Sequence, residues 1–176
     1  MKDISKVVAF IDGGSRGNPG PSASAFTLSI NDEHVITRAK YLGTQTNNVA
    51  EYRALELLVD YLLENPTVVG DRRIDIYCDS KLIVFQMRNL WRVKDVNLDQ
   101  IKREIEQKMR SATLWTWLHH IPRAKNKEAD KAVNNILDMP IRPDLMEWDR
   151  PVSCLSSEWR TKNLVQLVDI RKGITW

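Results

Sequence analysis

The chain has 176 residues, 43% hydrophobic and 28% charged, with seven glycines and seven prolines, a balance that excludes collagenous, low-complexity and wholly disordered chains. A chain of this length buries roughly 70% of the surface its unfolded form exposes, so it needs no disulfide or zinc staple; its two cysteines, Cys78 and Cys154, form no CxxC pair, which suits a reducing cytosol. The net charge of +3 is unevenly spread, with 8 basic against 11 acidic residues over 1–80, 12 against 6 over 81–131 and 6 against 6 over 132–176, so the middle third is basic enough to accept a polyanion.

The first apolar run, Val7-Val8-Ala9-Phe10-Ile11, is too short for a signal core or a membrane span. A cytoplasmic protein without membrane contact is therefore expected. The run is rich in β-branched residues and predicts a strand ending at Asp12, before a turn-rich stretch from Gly13 to Gly20. A second strand from Ser24 to Ile30, a polar turn at Asn31-Asp32-Glu33 and a third strand from about Val35 to Leu42 make an antiparallel hairpin. Asn47-Asn48 offers an N-cap for a helix whose apolar stripe, Ala50, Leu55, Leu58, Val59 and Leu62, runs down to a stop at Asn65-Pro66.

Ile74 to Cys78 reads as a short strand ending at Asp79, and Ser80 as the cap of a second helix with Leu82, Ile83, Phe85 and Met87 at its apolar positions. A third helix is predicted over Leu98 to Met109, then a strand from Leu114 to Ile121 stopped by Pro122, and a helix from about Lys127 to Leu137. Trp115 and Trp117 alternate along that strand and are expected to pack against a helix, with His119 and His120 facing opposite ways. The order βββαβααβα predicts an α/β fold over residues 1–140, a mixed five-stranded sheet with helices on both faces. Beyond Pro140, Pro143 and Pro151 break the chain and helical periodicity returns only around Leu164 to Ile170. Residues 141–176 therefore read as a C-terminal extension of undisclosed role, in which Trp148, Trp159 and Trp176 form a small core or a contact surface.

Four carboxylates carry the chemistry. Asp12 and Asp79 each follow an apolar strand directly, and the carboxyl ends of strands are where open α/β sheets bind ligands. Glu51 and Asp130 stand in the first turns of the first long helix and the last helix. Each has an ordinary local reading: an Asx turn for Asp12, a capping box with Asn48 for Glu51, helix entry for Asp79, a favourable dipole for Asp130. If the four converge, however, they repel and raise one another's pKa, and such a cluster persists when cations neutralise it. Hard oxygen ligands favour Mg²⁺ or Mn²⁺.

The flanking residues complete a pattern. Phe10-Ile11-Asp12-Gly13-Gly14-Ser15-Arg16-Gly17-Asn18-Pro19-Gly20, Thr46-Asn47-Asn48-Val49-Ala50-Glu51, Tyr77-Cys78-Asp79-Ser80 and Asn126-Lys127-Glu128-Ala129-Asp130 occur in that order. The set resembles the type 1 ribonuclease H family across residues 7–137. The resemblance implies a ribonuclease H-like fold and a metal-dependent endonuclease that hydrolyses the RNA strand of RNA/DNA hybrids, leaving 5′-phosphate and 3′-hydroxyl ends. It implies two Mg²⁺ (or Mn²⁺) ions, with Asp12 bridging both, Asp79 and Asp130 each completing one, and Glu51 ligating and sensing the ribose 2′-OH that distinguishes RNA from DNA. By the same resemblance Gly14, Ser15, Asn18, Asn47 and Asn48 contact the backbone of the hybrid.

Two departures stand out. His120 lies ten residues before Asp130, the separation of a loop histidine in many members, yet Ile121-Pro122-Arg123 looks like a variant in which hydrophobic-Pro-Arg replaces that loop; His120 and Arg123 are both carried as auxiliary residues. Leu90 to Asn97 passes straight to the next helix, without the family's basic protrusion. A phosphate-binding P-loop is excluded because Gly13 to Gly20 lacks the Gly-Lys-Ser/Thr ending. The rivals are a DNA exonuclease or junction resolvase on the same fold, and a catalytically silent nucleic-acid-binding module. A pure binding module gains nothing from carboxylates facing a polyanion.

Overall fold

The computed structural model of the protein describes residues 6–139; the expected C-terminal extension, with Trp148, Trp159 and Trp176, lies outside the described residues. Five strands and four α-helices follow in the order β1 (Val7–Ser15), β2 (Gly20–Ile30), β3 (Glu33–Gln45), α1 (Asn47–Glu64), β4 (Ile74–Cys78), α2 (Lys81–Met87), α3 (Val96–Ser111), β5 (Thr116–His120) and α4 (Lys127–Leu137). Single 3₁₀ turns occupy Pro66–Val68 and Arg123–Lys125. The mixed sheet has the order β3-β2-β1-β4-β5, antiparallel between β1, β2 and β3 and parallel from β1 through β4 to β5.

Local chemistry sets most boundaries. Ile30 pairs with Glu33 across a two-residue turn whose central residues, Asn31 and Asp32, both have positive φ (52° and 64°), the backbone that matches strand twist and that Asn and Asp tolerate best after glycine. The cap of α1 is Thr46, whose hydroxyl accepts from the Val49 N–H at 3.3 Å, and not Asn47 or Asn48. Ser80 caps α2 and Asp95 caps α3 through the N–H groups of Ile83 and Leu98.

The strand predicted to end at Asp12 continues to Ser15, because β2 pairs with it the whole way, Asp12 opposite Ala25, Gly13 opposite Ser24 and Ser15 opposite Ser22. The parallel ladder to β4 stops earlier, at Ile11 opposite Cys78. Asp12 thus lies inside one ladder and just past the end of the other, where the sheet splits.

Alternation along β1 assigns the two layers. Val7, Ala9 and Ile11 join Tyr52, Leu55, Leu58 and Leu62 of α1 and Ile101 and Ile105 of α3 in the larger core. On the opposite face Ala23, Ala25 and Ala39 meet Ala132, Val133 and Ile136 of α4; their small side chains let that helix lie close to the sheet. The expectation for Trp115 and Trp117 fails. Both are exposed, at 62% and 45%: Trp115 stands just before β5, and Trp117 alternates on this edge strand with Leu118, the residue that β5 commits to the larger core. The Arg88 guanidinium lies over the Trp117 ring, 4.7 Å from its centroid. Among the described residues no helix is long and apolar enough to cross a membrane.

Candidate active site

The split in the sheet between β1 and β4 is where the acidic residues meet. Gly13 makes the approach possible: a Cβ built on it would stand 2.2 Å from the backbone carbon and oxygen of Ala50, so only hydrogen fits where β1 passes the first turn of α1. Ser24 adds a buried tie, its hydroxyl donating to the Ala50 carbonyl at 2.6 Å. These contacts deliver Glu51 beside Asp12. On the other side of the strand a Cβ on Gly14 would meet the Val133 side chain at 3.3 Å, which fixes how closely α4, and with it Asp130, can lie. The two glycines are the thin place in the sheet between two helices rather than a loop.

Asp12, Glu51, Asp79 and Asp130 line one cleft of about 390 Å³. Asp12 and Glu51 are buried, each 7% exposed, while Asp79 and Asp130 are half-buried. Asp130 accepts from the Arg123 guanidinium at 2.7 Å and from the Asn134 amide at 3.1 Å. Arg123 stands in the single turn before α4 and is itself largely exposed.

The electrostatics follow from burial and crowding. Asp12 has its pKa pushed up to about 7, first by burial and then by the charges of Asp79 and Asp130, against the opposing pull of Arg123 and a hydrogen bond from the Gly13 N–H. Glu51 is raised well above the ordinary carboxylate range, again by burial first and then by Asp12 and Asp79. A cleft that holds carboxylates this uncomfortably is built for positive charge.

Donor atoms of Glu51, Cys78 and Asp79 lie within 4.8 Å of one another, a group able to hold a cation. The Cys78 Sγ is 3.9 Å from Glu51 Oε2, but burial, and then the neighbouring Glu51, push its thiol pKa up. A protonated thiol is a poor ligand, so the effective donors are the carboxylate oxygens, and this donor set fits Mg²⁺ or Mn²⁺.

Of the other residues singled out by the sequence, Gly14, Ser15, Asn47 and Arg123 line the same cleft, whereas Asn18, Asn48 and His120 are not among its lining residues. Asn18 holds its loop against α1, its side-chain oxygen accepting from the Asn47 N–H at 3.0 Å. The Ser15 hydroxyl donates to the Gly17 carbonyl. Asn48 is exposed in the first turn of α1, and His120 is exposed at the end of β5. His119 is engaged elsewhere, stacked on Tyr77 and 2.7 Å from Asp75.

Three further polar residues escaped the sequence reading. Asn134, four residues after Asp130, donates to both its carbonyl and its carboxylate; helical i, i+4 spacing was a usable signal. Arg16 reaches from the loop after β1 to Asn134 at 3.2 Å and Asp138 at 2.7 Å, a pairing across 122 residues that no local pattern announces. Asn126 stood in the sequence only as the first residue of the last motif, with no role of its own, and the structure buries it beside Asp79.

Known proteins agree with this architecture. The RNase H family model matches residues 4–137. The chain is 35% identical over 139 residues to the bifunctional protein Rv2228c of Mycobacterium tuberculosis, covering 76% of this chain and 36% of that protein, so it spans about a third of the length of that relative. It is 34% identical over 134 residues to ribonuclease HI of Halobacterium salinarum, covering 76% of this chain and 65% of the relative. Among solved structures, LC11-RNase H1, isolated from compost, superposes with a TM-score of 0.72 at 34% identity, over 76% of this chain and 96% of that one. A second structure of LC11-RNase H1, in complex with an RNA/DNA hybrid, gives a TM-score of 0.70 at 33% identity, over 73% and 94% of the two chains. With a family match over most of its length and the acidic cleft at the point where the sheet splits, the chain belongs to the RNase H family.

Proposed function

We propose that this protein is a ribonuclease H, an endonuclease that hydrolyses the RNA strand of RNA/DNA hybrids in a divalent-metal-dependent reaction, leaving 5′-phosphate and 3′-hydroxyl ends. The observation that carries the reading is the meeting of Asp12, Glu51, Asp79 and Asp130 on one cleft from four separate elements. The hybrid bound by LC11-RNase H1, and the basic middle third of this chain, support the substrate class.

These four carboxylates would hold two Mg²⁺ or Mn²⁺ ions. When bound, such ions lower the pKa of a water and stabilise the oxygen that leaves the phosphodiester. Asp12, which feels the charges of both Asp79 and Asp130, would serve both ions, with Asp79 and Asp130 each completing one. Glu51, presented by the first turn of α1, would read the ribose 2′-OH, the group a DNA strand lacks. Gly14, Ser15 and Asn47 form the lip of the cleft on which the hybrid backbone would lie, with Asn18 and Asn48 on the adjoining loop and helix start. Arg123 would offset the negative charge at Asp130 and steady the site between turnovers, a role better supported than one for the exposed His120. A cytoplasmic setting fits the free, buried thiol of Cys78.

The test is Asp12→Asn assayed on a labelled hybrid, double-stranded RNA and double-stranded DNA with Mg²⁺ or Mn²⁺. Wild type is expected to cut the hybrid alone, and the variant to lose at least about a thousand-fold in rate while keeping its fold. Near wild-type cleavage by the variant, or a preference for DNA, overturns the reading.

A further inference from the structure

Asn126 immediately precedes α4 and is 1% exposed. Asparagine in this place ordinarily turns its side-chain oxygen to the N–H groups of the first helical turn. Here α4 has no side-chain cap. The Asn126 amide points the other way, donating to the Ile11 carbonyl at 2.8 Å and reaching Asp79 Oδ1 at 3.4 Å. Ile11 is the last residue of the parallel ladder to β4. The amide therefore takes over where the sheet stops, bridging the strands from which Asp12 and Asp79 emerge.

The backbone of the same residue serves the third carboxylate. Its carbonyl accepts from the Asp130 N–H at 3.1 Å, and its N–H donates to the carbonyl of Arg123 at 2.9 Å, whose guanidinium holds Asp130. The amide's orientation is forced, since only its NH₂ side can satisfy a carbonyl. The cost is visible: Asn126 Oδ1 is buried without a hydrogen-bond partner. An unused cap and an unpaired buried oxygen are both destabilising, and breaches of local rules of this kind gather where function requires them.

We infer that Asn126 is a positioning residue, whose amide and backbone together set the spacing of Asp12, Asp79 and Asp130. The inference rests on the reading of those carboxylates as cation ligands. Without the amide, Asp79 loses its tie to the end of β1 and the start of α4 loses its anchor. Cation affinity and turnover fall, whereas the contacts that bind the hybrid along the cleft are untouched.

The experiment uses the full chain with Asn126→Ser, which offers α4 an ordinary cap while removing both side-chain bonds, and Asn126→Ala. Asp95→Ala is the stability reference, since it removes only the cap of α3, where Asp95 accepts from the Leu98 N–H at 2.9 Å. Mn²⁺ affinity is measured by calorimetry without substrate, alongside melting temperature and hybrid kcat and KM at saturating Mn²⁺. Both Asn126 variants are expected to bind Mn²⁺ about ten-fold more weakly and to lose about 10- to 100-fold in kcat, as losses of groups that orient metal ligands do, with KM within about two-fold. Asp95→Ala is expected to lower the melting temperature and leave Mn²⁺ affinity unchanged. Wild-type Mn²⁺ affinity and kcat in the Asn126 variants overturn the inference, and so does failure of both to fold, which makes Asn126 a residue of the fold alone. Failure of the ligand reading is distinguishable: wild type would then show no Mn²⁺ binding that Asp12→Asn removes.

Discussion

At Asp12 a carboxyl group is buried among other acids because the sheet leaves it nowhere else to go. Its folded pKa of about 7 against an ordinary 3.8 has a thermodynamic consequence. Between these values the unfolded chain has released the proton and the folded chain retains it, so stability falls as pH rises from about 4 to about 7. In cation-free buffer with chelator, Asp12→Asn is therefore expected to be more stable than wild type at pH 8, by roughly 1–4 kcal/mol, with the advantage gone by pH 4. Denaturant titrations at the two pH values check this. Adding Mn²⁺ should erase the advantage, since the cation then neutralises the charge that burial penalises. The mutation predicted to abolish activity thus stabilises the empty protein, a trade expected of a site built for ligands rather than for folding.

Among the elements, the contact between β1 and α1 decides where Glu51 lies. Gly13→Ala forces a methyl group into the Ala50 backbone at 2.2 Å, and neither a strand held by β2 at this point nor a helix tied by Ser24 can yield cheaply. The expected loss is about 3 kcal/mol or more, measured as a shift in the denaturation midpoint, and hybrid cleavage should fall further than the folded fraction does because Glu51 moves with the helix. Several elements were legible beforehand. The strand ending at Cys78 and the helix over 127–137 were foreseen at their observed boundaries, because apolar alternation and flanking Asp or Asn are local signals. The extension of β1 through Gly13, Gly14 and Ser15 was not, because the pairing of those residues with Ser24, Ala23 and Ser22 is supplied by a different strand. The α1 cap fell one residue early, on Thr46, since Thr and Asn are near-equal caps and only the geometry chooses between them.

At the scale of the whole molecule, the described residues 6–139 hold two core clusters and an acidic cleft lined by all four carboxylates. Residues 1–140 are accordingly proposed as the catalytic domain, with 141–176 as an addition to it. A chain ending at Pro140 is expected to melt cooperatively and to keep metal-dependent hybrid cleavage within about ten-fold of the full chain, a margin of about 1.4 kcal/mol; circular dichroism and digestion of a labelled hybrid check it. Loss of folding would assign 141–176 to the domain itself.

The amino-acid sequence by itself determined the order of elements, the four carboxylates and the resemblance that joins them, because each motif is written in a few adjacent residues. Tertiary structure alone decided that β1 outlasts its parallel neighbour, that Trp115 and Trp117 stay exposed at the edge of the sheet, and that Asn126 abandons its helix to tie Asp79 to the strand that carries Asp12. The reason is one of range. Turn, cap and periodicity preferences act over a few residues, whereas burial, strand partners and the fields of distant charges exist only once the chain has closed on itself.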